Sequence, residues 1–257
     1  MHDTSPKPVW SNTDLADDPH TAADKPDRIR RMFGAIAPSY DLNNRVHSFG
    51  LDQAWRRRVV KLTRPGSGDD VLDVACGTGD LTEAFAEAGV ASVTGLDCTQ
   101  EMLDLAGVKA NRRSRRTGTP APTYRLGDAM DLPFEDGSFD IVSIAFGIRN
   151  VSEPAQAVRE MTRVLRPGGR LAILEFAEPR LAPVRWANRL YTHTIMPWTA
   201  TLLARDRSGA YRYLPRSIET FLTPEQLRAE LEAAGLTVEH QQRLTLGICV
   251  ATIAHRS

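Results

Sequence analysis

Apolar side chains recur at helical spacing from residue 28 onward, with Ile29, Met32, Phe33 and Ile36 on one face and Arg28, Arg30 and Arg31 off it. A second helical pattern covers residues 51–62 and stops before Arg64, Pro65 and Gly66. The chain then changes to short runs rich in Val, Ile or Leu at residues 70–75, 92–97, 123–127, 139–146 and 169–176. Helical patterns separate these runs, which predicts βαβ units and a mostly parallel sheet. The helix before the fifth run is framed by its own residues. Ser152, Glu153 and Pro154 open it, Val158, Met161 and Leu165 mark one face, and Pro167, Gly168 and Gly169 stop it. Residues 236–241 and 248–254 have no helix-length segment between them and are expected to close the sheet as a hairpin. The reading is therefore α/β: an open, doubly wound, seven-stranded, mostly parallel sheet preceded by N-terminal helices. Residues 181–221 form a helix-rich insertion with Trp186, Leu190, Tyr191, Ile195, Met196, Trp198, Leu202 and Leu203. It is expected to be a lid over the carboxyl edge of the sheet, where open α/β folds bind ligands.

Residues 1–25 carry five aspartates among prolines and few large apolar groups, a composition expected of a disordered acidic tail ahead of one domain over 26–257. The 257 residues are 42% hydrophobic and 25% charged, with 32 basic against 32 acidic side chains. Zero net charge removes a global electrostatic case for nucleic acid. No run approaches 18 consecutive apolar residues, and the N-terminus lacks the apolar stretch of a secretory signal, so a cytoplasmic location is expected. Cys76, Cys98 and Cys249 lack metal-ligand spacing, which argues against a zinc site and a disulfide framework.

The chemistry starts at the first run, which ends in Asp73, Val74, Ala75, Cys76, Gly77, Thr78, Gly79 and then opens a helix. Two glycines there let backbone approach a ligand closely, although a tight βα turn with no ligand needs them equally. Asp97 closes the second run 18 residues after Gly79, where a carboxylate accepts the two hydroxyls of a ribose or caps the next helix. Thr82 stands in place of the third glycine of a pyrophosphate-binding fingerprint, which favours a nucleoside cofactor without a diphosphate. Asp128 and Ala129 follow the third run, placed to meet an exocyclic amine and a ring nitrogen of a purine.

Together with Arg163 to Gly169, these motifs resemble the class I S-adenosylmethionine-dependent methyltransferases, with their Rossmann-like sheet. Tyr40-Asp41, Asn44, Ser48-Phe49-Gly50, Trp55, the run from Phe146 to Val151, Leu174-Glu175-Phe176 and Tyr211 to Leu214 narrow the resemblance. They are similar to motifs of the C-methyltransferases of menaquinone and ubiquinone biosynthesis. The likeness runs from about Arg28 to the last strand. It implies S-adenosyl-L-methionine as methyl donor, held by Asp73, Gly77, Thr78, Gly79, Asp97, Asp128 and Ala129. It also implies a polyprenylated quinol methylated on a ring carbon, with Tyr40, Asp41, Arg149 and Asn150 as catalytic residues. Asn43 departs from the family's usual Met, His47 from an aliphatic residue, Asp52 from His, Ala145 from Ser and Thr252 from His; these bear on substrate identity more than on reaction class.

Transfer of a sulfonium methyl to a nucleophilic ring carbon needs positioning and a proton acceptor rather than a covalent catalyst. Candidates for the acceptor are Tyr40, Asp41, His47, His193 and Glu175. Arg149 either stabilises a phenolate or ties the fourth-strand loop to the N-terminal helix. Arg56, Arg57, Arg58 and Lys61, and Arg112, Arg113, Arg115 and Arg116, are either solvated faces or contacts to anionic headgroups at a membrane surface. Trp186, Ile195, Met196 and Trp198 are either a prenyl tunnel or the packing core of the lid. A homodimer is a further expectation. The competing readings are a methyltransferase of the same fold acting on another small molecule or lipid, and a noncatalytic cofactor-binding module.

Overall fold

The computed structural model describes residues 8–11, 13–197, 199 and 208–257. Seven strands form one sheet in the order β3-β2-β1-β4-β5-β7-β6. They are β1 (Asp70–Val74), β2 (Ser92–Asp97), β3 (Thr123–Leu126), β4 (Phe139–Ala145), β5 (Leu165–Phe176), β6 (Leu236–Leu244) and β7 (Cys249–Arg256). The first five are parallel, and β7 runs antiparallel to both β5 and β6. The hairpin expected from the last two apolar runs is present, and it pairs with the fifth strand through the register Leu171↔Ala254.

Central strands are apolar on both faces because helices cover both sides, as parallel sheets require. Val71, Leu72, Val74, Ile141, Val142 and Ile144 are all fully buried. On one side, helix α5 (Pro154–Val164) buries Ala157, Val158, Met161 and Val164, which recur at helical spacing, against β4 and β5. On the other, α2 (Leu51–Thr63) lays Trp55 and Val59 on Ala172, Leu174, Ala251 and Ile253, while α3 (Asp80–Glu87) adds Leu81 and Phe85. From β1 the chain winds outward to β3, then returns to place β4 beside β1. That reversal opens a crevice at the carboxyl ends of β1 and β4.

Helix α1 (Lys25–His47) packs beside α4 (Gln100–Thr117). In the insertion, α6 (Ala182–Leu190) runs into a π-helical turn over Tyr191–Ile195, and α7 (Ala210–Glu219) returns to the body ahead of α8 (Pro224–Ala233). Trp198, Leu202 and Leu203, expected to help build the lid, lie outside the described residues.

The N-terminal segment departs from the expected disordered tail. Trp10 is only 1% exposed and stacks on Tyr213 of α7 with ring centroids 4.8 Å apart. Its backbone N–H donates to the Ser208 carbonyl at 3.1 Å, and the Arg28 guanidinium lies over its ring while pairing with Asp14 and Asp24. Trp10, Asp14 and Asp24 thus tie this segment to α1 and α7, contacts that a composition average over 25 residues conceals.

Candidate functional site

The loop after β1 turns sharply enough that Ala75, Gly77 and Gly79 all have positive φ, at 50°, 55° and 83°. Gly79 is doubly constrained, because a Cβ there would sit 2.6 Å from the Tyr124 hydroxyl. This turn aims the Gly77 N–H at Asp97 Oδ2 (2.8 Å), while Asp97 Oδ1 accepts from the Thr99 N–H at 2.9 Å. Asp97 thus makes the local bond expected of a cap and also fronts a cavity of about 100 Å³. Burial raises its pKa, and the hydrogen bonds from Gly77 and Thr99 oppose that rise. Gly77, Asp128 and Ala129 share the same wall with Phe146, Gly147 and Asn150.

Four of the expected site residues lie outside the walls of this cavity and of the larger one beside it. Asp73 is buried beneath it, accepting from Thr82 Oγ1 (2.7 Å) and Ser143 Oγ (2.8 Å). Gly79 begins α3, and Thr78 donates to Asp41 Oδ1 at 2.5 Å. Asp41 is engaged by Lys109 at 2.6 Å, and Lys109 reaches Asp80 at the same distance, so these residues brace α1 against α3 and α4. Asp73, Thr78, Gly79 and Asp41 therefore shape the loop rather than face the cavity.

A second, mostly apolar cavity of about 220 Å³ lies between α1, α2, the lid and the end of β5. Phe33, Tyr40 and Phe146 line both cavities and form the boundary between them. Phe146 holds a positive φ of 58° at the end of β4, a backbone strain of the kind found where a side chain must be aimed. Trp55, Phe146 and Phe176 make an aromatic floor, with the Phe146 and Phe176 centroids 4.4 Å apart.

Arg149 is in this wall and buried. Its Nη1 donates to Glu175 Oε1 (2.6 Å) and the Phe146 carbonyl (2.7 Å), and its Nε has no partner among the described residues. Of the two alternatives for Arg149, an ion pair to the N-terminal helix is not what forms: the carboxylate is Glu175 of β5. The tie to α1 is instead made by Lys25, whose Nζ donates to the carbonyls of Arg149 (3.0 Å) and Val151 (2.6 Å). Asn150 accepts from the Tyr213 hydroxyl at 3.0 Å, joining this turn to α7.

Of the five proton-acceptor candidates, only Tyr40 and His47 line the second cavity. Burial raises the Tyr40 pKa, so its hydroxyl stays protonated near neutrality. His47 Nδ1 meets the Asn43 carbonyl at 2.8 Å and Nε2 meets Thr199 Oγ1 at 2.9 Å. His193 pairs with Glu219 on the lid surface, and Glu175 is committed to Arg149. The basic clusters are thinner than the sequence suggests. Arg56 is buried over the Phe146 ring and paired with Asp52, and Arg113 is buried against Glu83.

A family model described as the ubiE/COQ5 methyltransferase family matches residues 21–256. The chain belongs to that family. It is 42% identical over 226 residues to the demethylmenaquinone methyltransferase of Thermus thermophilus, covering 88% of this chain and 100% of that protein. It is 39% identical over 227 residues to the ubiquinone/menaquinone biosynthesis C-methyltransferase UbiE of Geotalea daltonii, covering 88% and 94%. Among solved structures, a SAM-dependent methyltransferase from Aquifex aeolicus superposes with TM-score 0.57 at 20% identity, over 79% of this chain and 89% of that one. The [4+2]-cyclase SpnF superposes with TM-score 0.59 at 20% identity, over 79% and 81%. These two show the shared fold only, and a cyclase among them illustrates that the fold does not fix the reaction.

The methyltransferase also places in its walls residues that sequence reasoning passed over. Ser152, read only as a helix opener, lines the smaller cavity, and its buried Oγ has no partner among the described residues. Phe33 was legible as a helix-face residue, but periodicity cannot distinguish a core position from a cavity wall.

Proposed function

We propose that this methyltransferase carries the methyl group of S-adenosyl-L-methionine to a ring carbon of a polyprenylated quinol, in menaquinone or ubiquinone formation. The observation that carries the reading is the pair of cavities meeting at Phe33, Tyr40 and Phe146, one fronted by Asp97 and the other apolar with Arg149 in its wall. The names of the Thermus and Geotalea relatives agree with it.

The smaller cavity suits the donor. Asp97 has used one lone pair on each oxygen for a backbone N–H, which leaves acceptor capacity for the ribose hydroxyls. Asp128 and Ala129 are available to the base, and the unpaired Ser152 Oγ offers a further polar contact. When bound, S-adenosylmethionine supplies an electrophilic methyl on a positively charged sulfur. Tyr40, Phe33 and Phe146 exclude water at the boundary and hold the acceptor ring against the donor side. Such positioning, with reacting atoms about 3–3.5 Å apart, supplies roughly 7–11 kcal/mol of a barrier. The unpaired Arg149 Nε–H is the donor for a phenolate oxygen.

The prenyl tail accounts for the apolar volume beneath the lid. Phe49, Trp186 and Leu246 are 79%, 68% and 69% exposed on elements that line this cavity, and they are suited to peripheral contact with a lipid surface. No described helix is long and apolar enough to cross a membrane. Substituting Asp at both Phe49 and Leu246 is expected to abolish co-sedimentation with anionic vesicles; unchanged binding would overturn the membrane reading.

The test of the function is transfer of labelled methyl from S-adenosylmethionine to demethylmenaquinol and to a methoxy-polyprenyl-benzoquinol. Transfer to one or both by the parent, lost in Asp97→Ala, is expected. Cofactor binding with transfer to neither would remove the quinol reading.

A further inference from the structure

Lys25 is only 1% exposed and lines neither cavity, yet its ammonium reaches the turn that serves both. Lysine is rarely buried so fully unless its charge and donors are matched. Here the three N–H donors have three acceptors: the Arg149 carbonyl at 3.0 Å, the Val151 carbonyl at 2.6 Å and His20 Nδ1 at 3.1 Å. The other ring nitrogen, His20 Nε2, lies 3.0 Å from the Ser217 carbonyl of α7 and donates to it. That bond leaves His20 neutral, with the lone pair of Nδ1 turned to the ammonium; a second ring proton would set two cations 3.1 Å apart. The two carbonyls belong to the turn that sets Arg149 in the wall of the larger cavity and Asn150 in that of the smaller.

Burial lowers the Lys25 pKa from the ordinary 10.5 to about 8; the Arg149 guanidinium adds to the drop, while Asp18 of the N-terminal segment and Glu153 at the start of α5 oppose it. From α7 the turn is met by the Tyr213 hydroxyl, which burial keeps protonated. A neutral amine would keep two N–H groups for three buried acceptors and lose the strength that charge gives each bond. We propose that Lys25 is a positioning residue of the reaction: its ammonium, backed by a neutral His20 ring, holds the turn that presents Arg149 and Asn150, and methyl transfer fails when the ammonium loses its proton. This assignment rests on the quinol reading above and adds to it a residue that acts without touching either ligand.

The direction of the pH dependence separates this role from the chemistry. A quinol becomes more nucleophilic as it ionises, so the acceptor alone makes the rate rise with pH, and Tyr40, raised by burial, keeps its proton in that range. The experiment measures kcat with saturating S-adenosylmethionine and demethylmenaquinol across the neutral and mildly alkaline range, for the parent and for Lys25→Met. The parent is expected to fall as pH rises through about 8, to a level about 10- to 100-fold lower. Lys25→Met is expected to start at that lower level and to lack the fall. A merely structural role would lower the melting temperature of the variant and leave the alkaline fall in place. As a measurement that needs no variant to fold, ¹³C NMR of the parent labelled at lysine Cε, in complex with S-adenosylhomocysteine, is expected to show Lys25 titrating at the midpoint of the fall in kcat. A Lys25 that keeps its proton through the fall, a parent rate that does not fall, or a variant that retains the fall would overturn the assignment while leaving the quinol reading intact. No transfer by the parent at any pH would remove that reading and this one with it.

Discussion

Asp73 shows how one buried carboxylate ties the glycine loop to pH. Burial lifts its pKa to about 6, against the bonds from Thr82 and Ser143 that favour the ionised form. A raised folded-state value means that the fold binds more protons than the unfolded chain from the ordinary 3.8 up to about 6. Its contribution is therefore present below that window and lost as pH rises through it, by about 3 kcal/mol for a shift of this size. Asp73→Asn is expected to flatten the fall in stability over this window, read by urea denaturation at a series of pH values; an unchanged slope would contradict the assignment. At Arg149 shape matters more than charge. Arg149→Lys keeps a cation near Glu175 but deletes the unpaired Nε–H, so kcat is expected to fall about 10²- to 10³-fold with S-adenosylmethionine affinity nearly unchanged. A rise in KM at constant kcat would show that Arg149 binds the ground state instead.

At the scale of elements, the N-terminal segment and α7 act together on the turn that carries Arg149 and Asn150. Trp10 stacks on Tyr213, Tyr213 donates to Asn150, and Lys25 ties the carbonyls of Arg149 and Val151 to the start of α1. Removing the segment that carries Trp10 is therefore expected to disturb this turn. Trp10→Ala is expected to destabilise the protein by about 3 kcal/mol or more, as large-to-small changes at fully buried aromatics do. It should also loosen both cavities, read as a lower melting temperature and weaker S-adenosylhomocysteine binding. Wild-type values for both would show that the segment is dispensable. The sequence concealed this strap because its information lies in one aromatic side chain and its distant partner Tyr213. Local patterns such as the α5 face carry their own evidence in their spacing.

Across the whole molecule, the sheet was legible because buried parallel strands appear as unbroken Val, Ile and Leu runs, and because helices must alternate with them. Even the reversed last strand followed from a missing crossover between residues 241 and 248. The site was legible in part. Gly77, Asp97, Asp128, Ala129, Tyr40, Arg149 and Asn150 reach the cavities, whereas Asp73, Thr78, Gly79 and Asp41 form a supporting layer behind them. A motif records which residues accompany a loop and does not separate those that face the ligand from those that hold its turn. Equally hidden was the unpaired Arg149 Nε, since an unsatisfied atom is a property of three-dimensional surroundings. The central claim is that the wall of Phe33, Tyr40 and Phe146 is where a methyl group passes to carbon. It is tested most directly by a single turnover with ¹³C-methyl S-adenosylmethionine and demethylmenaquinol, followed by NMR of the product. A labelled methyl bonded to a ring carbon is the expected result; a label on oxygen, or none on the quinol while both ligands are bound, would contradict it.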